Sequence, residues 1–115
     1  MTIQIYHNPR CSKSRQTLAL LEEKGIAPEV ILYLDTPPSA DEIKGLLAKL
    51  GFDSARQLMR TKEEEYKAQN LARVEDENAL LAAMAATPKL IERPIVVKGD
   101  QARLGRPPEQ VLEIL

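Results

Sequence analysis

The feature that most constrains this chain is the junction between a short apolar strand and a helix, with a cysteine at the turn. The strand covers residues 2–6, and Asn8-Pro9 ends it. The helix runs from near Cys11 to Lys24, and Gly25 suits the position after its last turn. A helix start has unpartnered backbone N–H groups and the positive end of the macrodipole, so an anion is favoured there. A thiolate is such an anion, and the junction therefore predicts a nucleophilic Cys11.

The helix start alone does not make this thiol an anion at neutral pH. A free cysteine with a pKa of about 8.5 is ~3% thiolate at pH 7. A helix N-terminus contributes about 0.3–1 kcal/mol, or about 2 when partly buried. Positive side chains must supply the rest, and Arg10, Lys13 and Arg15 stand within a few residues. The competing interpretation is a lone cysteine that packs as a small buried hydrophobe.

Composition limits the classes of function. The chain has 115 residues with a net charge of −1, so no global field favours nucleic acid or a membrane. One cysteine and one histidine exclude an internal disulfide and a His/Cys zinc cluster. The longest apolar run, Ala79 to Ala86, is too short to span a bilayer, and residues 1–3 lead directly into a strand without a signal peptide. We expect one cytoplasmic domain over residues 1–115.

The order of predicted elements indicates an α/β protein. Glu29 to Leu34 is an apolar, β-branched run typical of a buried strand, which completes a parallel βαβ unit. Start signals at Ser39, Ser54 and Thr61 predict three helices, and a fourth spans about Glu75 to Ala86, with Leu80, Leu81 and Met84 inward. A strand introduced by Pro94, a hairpin turn at 98–101, a short strand and a last helix after Arg106 follow. The prediction is a thioredoxin-like fold, βαβ…ββα, with a helical insertion at about 39–90.

With these elements placed, the chain resembles the glutaredoxin-coupled arsenate reductase family over essentially its whole length, and most of all its small chromosomal branch. Several separate motifs in one order carry the resemblance. They are Tyr6-His7-Asn8-Pro9-Arg10-Cys11, Tyr33-Leu34-Asp35-Thr36-Pro37-Pro38, Leu58-Met59-Arg60, Arg93-Pro94-Ile95-Val96-Val97 and Arg103-Leu104-Gly105-Arg106-Pro107. Ser12 and Lys13 depart from the small neutral residues that plasmid-borne members have after the cysteine.

The resemblance implies a function and a set of site residues. Cys11 matches the catalytic cysteine that attacks arsenate, and three arginines match the residues that bind the oxyanion. Glutathione is then a co-substrate that attacks the adduct, glutaredoxin regenerates the cysteine, and no cofactor is bound. The matching arginines are Arg60, Arg93 and Arg106, and the supporting positions are His7, Ser14, Arg15 and Pro94.

The residues themselves leave several of these roles open. His7 either orients a substrate or tunes Cys11, or bonds local backbone, which is the expected outcome. Ser14 is either a donor to the thiolate or part of a solvated first turn. Arg60 is either an oxyanion ligand or a surface cation. The resemblance implies a cis peptide bond before Pro94. Arg106 is a cation at a helix start, which is electrostatically unfavourable, so a functional role is expected for it.

Two other functions compete with arsenate reduction. One is a monothiol oxidoreductase that acts on glutathione mixed disulfides through the same cysteine. The other is an interaction protein similar to the Spx-type regulators, which bind RNA polymerase and usually carry a Cys-x-x-Cys switch. Here that pattern is Cys11-x-x-Ser14, and Cys11-x3-Arg15 also differs from the Cys-x5-Arg of low-molecular-weight phosphatases.

Overall fold

A computed structural model describes residues 2–115 of the protein and divides them into two compact units. The first contains residues 2–36 and 93–115, and the second is Pro37–Glu92. The second unit covers the segment predicted as a helical insertion at about 39–90. The assignment of the whole chain to one domain remains a prediction.

The first unit is built on a four-stranded sheet. Its strands are β1 (Ile3–Tyr6), β2 (Glu29–Ile31), β3 (Ile95–Lys98) and β4 (Gln101–Leu104), in the spatial order β2-β1-β3-β4. β1 pairs with β2 in parallel, with Ile5 opposite Val30. The pairings of β1 with β3 and of β3 with β4 are antiparallel. The predicted βαβ unit and the later hairpin are confirmed.

Two helices accompany this sheet. α1 (Ser12–Glu23) has Cys11 at its N-cap, and Gly25 follows with φ +79°, as its place after the helix predicted. The last helix is a 3₁₀ helix, Pro108–Ile114, and it packs against α1 and β4. Their apolar faces form a core with the sheet. Its fully buried members include Ile5, Leu21, Val96 and Val111.

The prediction of a buried strand from Glu29 to Leu34 is wrong in length and in burial. β2 has three residues and lies at the edge of the sheet. Val30, Leu32 and Leu34 are 44%, 39% and 41% exposed, whereas Tyr33 is buried. An apolar, β-branched run is typical of a strand that is covered on both faces. Here Leu32 and Leu34 lie beyond the end of β2, in a turn whose Asp35 and Thr36 N–H groups donate to the Leu32 carbonyl, and both leucines stay open to solvent.

The second unit is helical. It contains α2 (Ala40–Leu50), α3 (Glu64–Ala68) and α4 (Glu77–Ala86), together with three short 3₁₀ helices. α2 packs against α4, and Leu80, Leu81 and Met84 are buried as predicted. The Ser39 hydroxyl accepts the Glu42 N–H at 3.1 Å, which confirms that start signal.

Two details of the second unit differ from the prediction. The capping box at Ser54 is present, but it starts a 3₁₀ helix, Ala55–Leu58. Thr61 does not begin a helix, because α3 starts two residues later, after Glu63, which makes no side-chain cap. Tyr66, in the first turn of α3, is buried. Among residues 2–115, no helix is long and apolar enough to cross a membrane.

Candidate active site

The strand–helix junction holds Cys11 in a tight turn. The Cys11 N–H donates to the Asn8 carbonyl at 3.0 Å, and the Cys11 carbonyl accepts the Arg15 N–H at 3.0 Å. Cys11 has extended backbone angles, φ −95° and ψ 124°, as an N-cap residue requires. Its side chain is 8% exposed. The single thiol is therefore fixed at the first turn of α1 and largely covered.

Three side chains around the turn are joined by hydrogen bonds. His7 Nδ1 lies 2.6 Å from Ser14 Oγ, and both residues are buried. The same hydroxyl oxygen accepts the Asn8 N–H at 3.0 Å. Arg15 Nη1 donates to the Pro9 carbonyl at 2.9 Å. His7, Ser14 and Arg15 thus bind the loop that precedes Cys11.

The side-chain contacts of His7 and Ser14 differ from those expected, and their functional roles remain predictions. The ring of His7 bonds a side chain, and its backbone N–H donates to the Ile31 carbonyl at 2.9 Å. The Ser14 hydroxyl is occupied by His7 and Asn8, while its backbone N–H acts on the Cys11 sulfur. Sequence patterns alone did not predict this connection, because it depends on the folded path of the loop.

Several groups act on the pKa of the Cys11 thiol, and the net effect lowers it. Burial is the largest influence and raises the pKa, but the Ser14 N–H, the charge of Arg93, the Lys13 N–H and the charge of Arg106 together outweigh it. The sulfur makes no capping hydrogen bond of good geometry. We attribute the backbone contribution to proximity of the N–H dipoles to the sulfur.

The positive charge at the sulfur comes from residues distant in sequence. Arg106 Nη2 lies 3.7 Å from Cys11 Sγ, within reach of a hydrogen bond to sulfur. Arg106 Nε donates to the Arg93 carbonyl at 2.8 Å, which orients the guanidinium. The charges of Arg10, Lys13 and Arg15, which the sequence placed near the thiol, are not among the causes of its lowered pKa.

A glycine brings the arginine loops together. The Gly105 N–H donates to the Pro94 carbonyl at 3.0 Å. A Cβ at Gly105 would collide with the Thr17 hydroxyl and lie 2.7 Å from Pro94 Cγ. The Arg93–Pro94 peptide is cis, as the resemblance implied, and the Arg106–Pro107 peptide is also cis, which was not predicted. In the sequence, the only sign of this requirement for glycine was the Gly105-Arg106-Pro107 motif.

His7 is the only histidine, and its pKa is lowered. Burial is the main cause, and the positive charge of Arg15 adds to it. Both favour the neutral imidazole, so at pH 7 one ring nitrogen of His7 can accept a hydrogen bond from the Ser14 hydroxyl.

Arg60 belongs to the second unit and has local partners there. Its Nη2 lies 3.4 Å from Glu63 Oε2, and its backbone N–H donates to the Leu90 carbonyl at 2.8 Å. Lys89 Nζ also pairs with Glu63, at 3.6 Å. The role of Arg60 as an oxyanion ligand remains a prediction.

The described part of the chain, residues 2–115, contains no group of three or more His, Cys, Asp or Glu residues placed to hold a metal ion. The site that the first unit assembles consists of one thiol and the guanidinium groups beside it.

Comparison with known proteins places this geometry in a family. The sequence pattern of the ArsC family matches residues 6–114. A protein of Haemophilus influenzae named arsenate reductase is 55% identical over the full length of both chains. The uncharacterized protein YfgD of Escherichia coli is 60% identical over 98% of this chain and 96% of its own length. The solved structure of an arsenate reductase from Vibrio cholerae superposes with a TM-score of 0.98 at 63% identity, covering 100% of this chain and 98% of the other.

Proposed function

Because the chain belongs to the ArsC family, we propose that it is an arsenate reductase in which Cys11 is the nucleophile and an external thiol is the reductant. One observation carries the proposal most directly. A thiol of lowered pKa lies 3.7 Å from the Nη2 atom of an arginine, at the start of a helix. This arrangement suits a reaction that brings a thiolate and an oxyanion together.

Arsenate binding requires positive charge, because an oxyanion and a thiolate repel each other. Guanidinium forks bind tetrahedral oxyanions through two parallel N–H donors. Arg106 Nε donates a hydrogen bond to the Arg93 carbonyl, and the charges of both arginines lower the pKa of the Cys11 thiol. We assign both to the oxyanion, and we assign Arg60 to it on the resemblance of the Leu58-Met59-Arg60 motif.

The first step is formation of a thio-arsenate. The Cys11 thiolate attacks arsenic, a bond between sulfur and arsenic forms, and one arsenate oxygen leaves as water after taking up protons. Arsenic remains pentavalent at this stage. The arginines stabilise the negative charge that accumulates on the oxygens as the thiolate approaches.

The second step needs a thiol from outside the chain, because Cys11 is the only cysteine. Glutathione attacks the Cys11 sulfur, and a disulfide forms as the bond between sulfur and arsenic breaks. The electron pair of that bond stays on arsenic, which is released as arsenite. Glutaredoxin then attacks the glutathione sulfur of the mixed disulfide and frees the Cys11 thiolate for the next cycle.

The supporting residues keep the nucleophile in position. His7 and Ser14 tie the Asn8 end of the loop to α1, and Arg15 ties its Pro9 end. Pro94 is part of the contact around Gly105 that places Arg106. We therefore assign His7, Ser14, Arg15 and Pro94 to positioning, since an error of about 1 Å in such a site can lower the rate a hundredfold.

The proposal is tested by NADPH oxidation that depends on arsenate, in an assay with glutathione, glutaredoxin and glutathione reductase. We expect turnover with the wild type and none with Cys11→Ser. A parallel assay with a glutathione mixed disulfide and no arsenate tests the competing activity. Turnover there, with none on arsenate, would contradict the proposal and favour a monothiol oxidoreductase.

A further inference from the structure

A groove lies beside the Cys11 loop, and the chemistry described above leaves it unused. Its volume is about 370 Å³. One wall consists of Asn8, Pro9 and Arg10, and the other contains Leu32, Leu34 and Asp35. We propose that this groove, called here the Arg10 groove, binds the peptide of the thiol that resolves the Cys11 adduct. The ligand class is a small zwitterionic thiol peptide such as glutathione, and the inference rests on the proposed function for its place in the cycle.

The loop wall is held in one conformation before any ligand binds. The Asn8 side-chain oxygen accepts the Arg10 N–H at 3.0 Å, and the Asn8 carbonyl accepts the Cys11 N–H at 3.0 Å. The Pro9 carbonyl is held by Arg15 at 2.9 Å. A fixed wall loses little conformational entropy on binding, which favours affinity for a small ligand. Cys11 follows Arg10 directly in the chain, so the proposal requires a peptide bound along this wall to extend its thiol past Arg10 to the Cys11 sulfur.

The opposite wall exposes apolar surface that the fold does not use. Leu32 and Leu34, which follow β2, are 39% and 41% exposed, and Val30 within β2 is 44% exposed. Among residues 2–115, Leu112 is the one other large hydrophobic residue that is exposed to this degree. Single exposed leucines are common, but a cluster beside a cavity marks a binding surface.

The charges of the groove select the class of ligand. Arg10 and Asp35 have opposite charges and line the same cavity. Within the described residues, neither side chain makes an ion pair or a hydrogen bond. A carboxylate suits the guanidinium of Arg10, and an ammonium suits the carboxylate of Asp35. The volume lies at the lower end of the range for small-molecule sites, which fits a short peptide.

The test uses thiol–disulfide exchange and needs no arsenate. Cys11 is converted to a mixed disulfide with thionitrobenzoate. An added thiolate attacks the Cys11 sulfur, a new disulfide forms, and coloured thionitrobenzoate leaves. The rate is measured with glutathione and with mercaptoethanol, which is too small to reach both charges and serves as the internal reference. We expect the rate with glutathione to saturate, and the rate with mercaptoethanol to rise linearly.

Substitutions in the groove should lower the ratio of the glutathione rate to the mercaptoethanol rate. We expect a fall of about two- to fivefold for Arg10→Gln, which removes one exposed charge pair with the ligand. Leu34→Ser should lower the ratio by about fivefold, because it removes apolar contact. The matched controls are Arg73→Gln and Leu112→Ser, which remove an exposed arginine and an exposed leucine outside the groove.

Three results would overturn the inference: an unchanged ratio in both groove variants, an equal fall in the controls, or a dependence on Leu34 seen only with a protein thiol such as glutaredoxin. The outcome is independent of arsenate chemistry. A lower ratio in the groove variants without any arsenate turnover would support the groove and contradict the proposed function. Arsenate turnover together with an unchanged ratio in the groove variants would support the proposed function and contradict glutathione binding in the groove.

Discussion

At the scale of single residues, the character of the site depends on the charges around one sulfur. Arg106 contacts Cys11 Sγ directly, and its charge lowers the pKa of the thiol. Arg106→Ala removes both effects, so the pKa should rise towards that of an ordinary cysteine. We expect the rate of alkylation by iodoacetamide at pH 7 to fall about threefold or more, with the same plateau at high pH.

Arg106→Lys and Arg73→Ala serve as the controls for this measurement. Lysine keeps the charge without the planar fork, so an intermediate rate is expected. Arg73 is exposed and is not among the causes of the lowered pKa. A pH profile of Arg106→Ala that coincides with the wild type would show that Arg106 does not stabilise the thiolate.

His7 should make the stability of the fold depend on pH. Its pKa in the folded protein is lowered by burial and by Arg15, whereas an unfolded histidine titrates near about 6.5. As pH falls below this value, the unfolded chain binds a proton that the folded chain resists, so stability decreases. His7→Gln should reduce the loss of stability between about pH 7 and pH 5 in urea denaturation. Equal losses in both proteins would exclude this role for His7.

The sequence singled out Cys11, Arg93 and Arg106, which the structure brings to one sulfur, but it did not predict their contacts. A cysteine at a helix start, with distant arginines identified by resemblance, led to Cys11, Arg93 and Arg106. The charges next to Cys11 in sequence were also expected to matter, but Arg15 points to the Pro9 carbonyl. Which cation reaches the sulfur depends on how two loops approach each other in space, and local charge patterns do not contain that information.

At the scale of secondary-structure elements, Gly105 sets the contact between α1 and the loop that carries Arg106. A Cβ there would collide with Thr17, which is fully buried in α1. Gly105→Ala should therefore destabilise the protein by about 1–3 kcal/mol, the usual range for overpacking. Gly45→Ala is the matched control, since nothing lies within 4 Å of a Cβ in that helical position. It should stabilise α2 by about 0.5–1 kcal/mol.

Urea denaturation of the two alanine variants measures these differences in the free energy of unfolding. A Gly105→Ala protein as stable as the wild type would show that Thr17 and Pro94 move aside at no cost. Gly105→Ala should also lower arsenate turnover by more than its unfolded fraction explains. The reason is that displacement of the loop moves Arg106 away from the Cys11 sulfur.

Element boundaries were predicted well where a single residue type determines them. Gly25 ends α1, and Ser39 caps α2, as glycine and serine chemistry require. β2 was predicted too long because an apolar run does not reveal whether a strand lies at the centre or at the edge of a sheet. The helix start predicted at Thr61 was wrong by two residues, since α3 begins at Glu64.

At the scale of the whole molecule, the net charge is close to zero, so the proposed binding of arsenate has to come from local arginines. A ligand that binds only the folded protein stabilises it by mass action. Arsenate at a hundredfold excess over its Kd should stabilise Cys11→Ser, in which no adduct forms, by about 2.7 kcal/mol. The measurement is the shift in the thermal midpoint with arsenate concentration.

The double variant Cys11→Ser/Arg106→Ala is the control for this shift. It should need a higher arsenate concentration for the same stabilisation, since one guanidinium is missing. Chloride at matched ionic strength should give no comparable shift. An equal response of the single and double variants would indicate that arsenate acts elsewhere on the molecule.

The order of elements along the whole chain followed from hydrophobic periodicity and turn residues, and the family followed from several motifs in one order. The arrangement of the strands was partly accessible, because a βαβ unit must be parallel and a short hairpin antiparallel. The groove beside the Cys11 loop was not predicted, because it depends on Leu32 and Leu34 lying exposed after the end of β2, where a longer buried strand was expected.

A single turnover followed by intact mass spectrometry tests directly whether Cys11 forms the arsenate adduct that glutathione resolves. The protein is mixed with arsenate and glutathione, without glutaredoxin, so that the cycle stops at the mixed disulfide. We predict a mass increase of one glutathione on Cys11, dependent on arsenate and accompanied by one equivalent of arsenite. Arsenite released without the mixed disulfide, or a mixed disulfide that forms equally well without arsenate, would contradict the proposed mechanism.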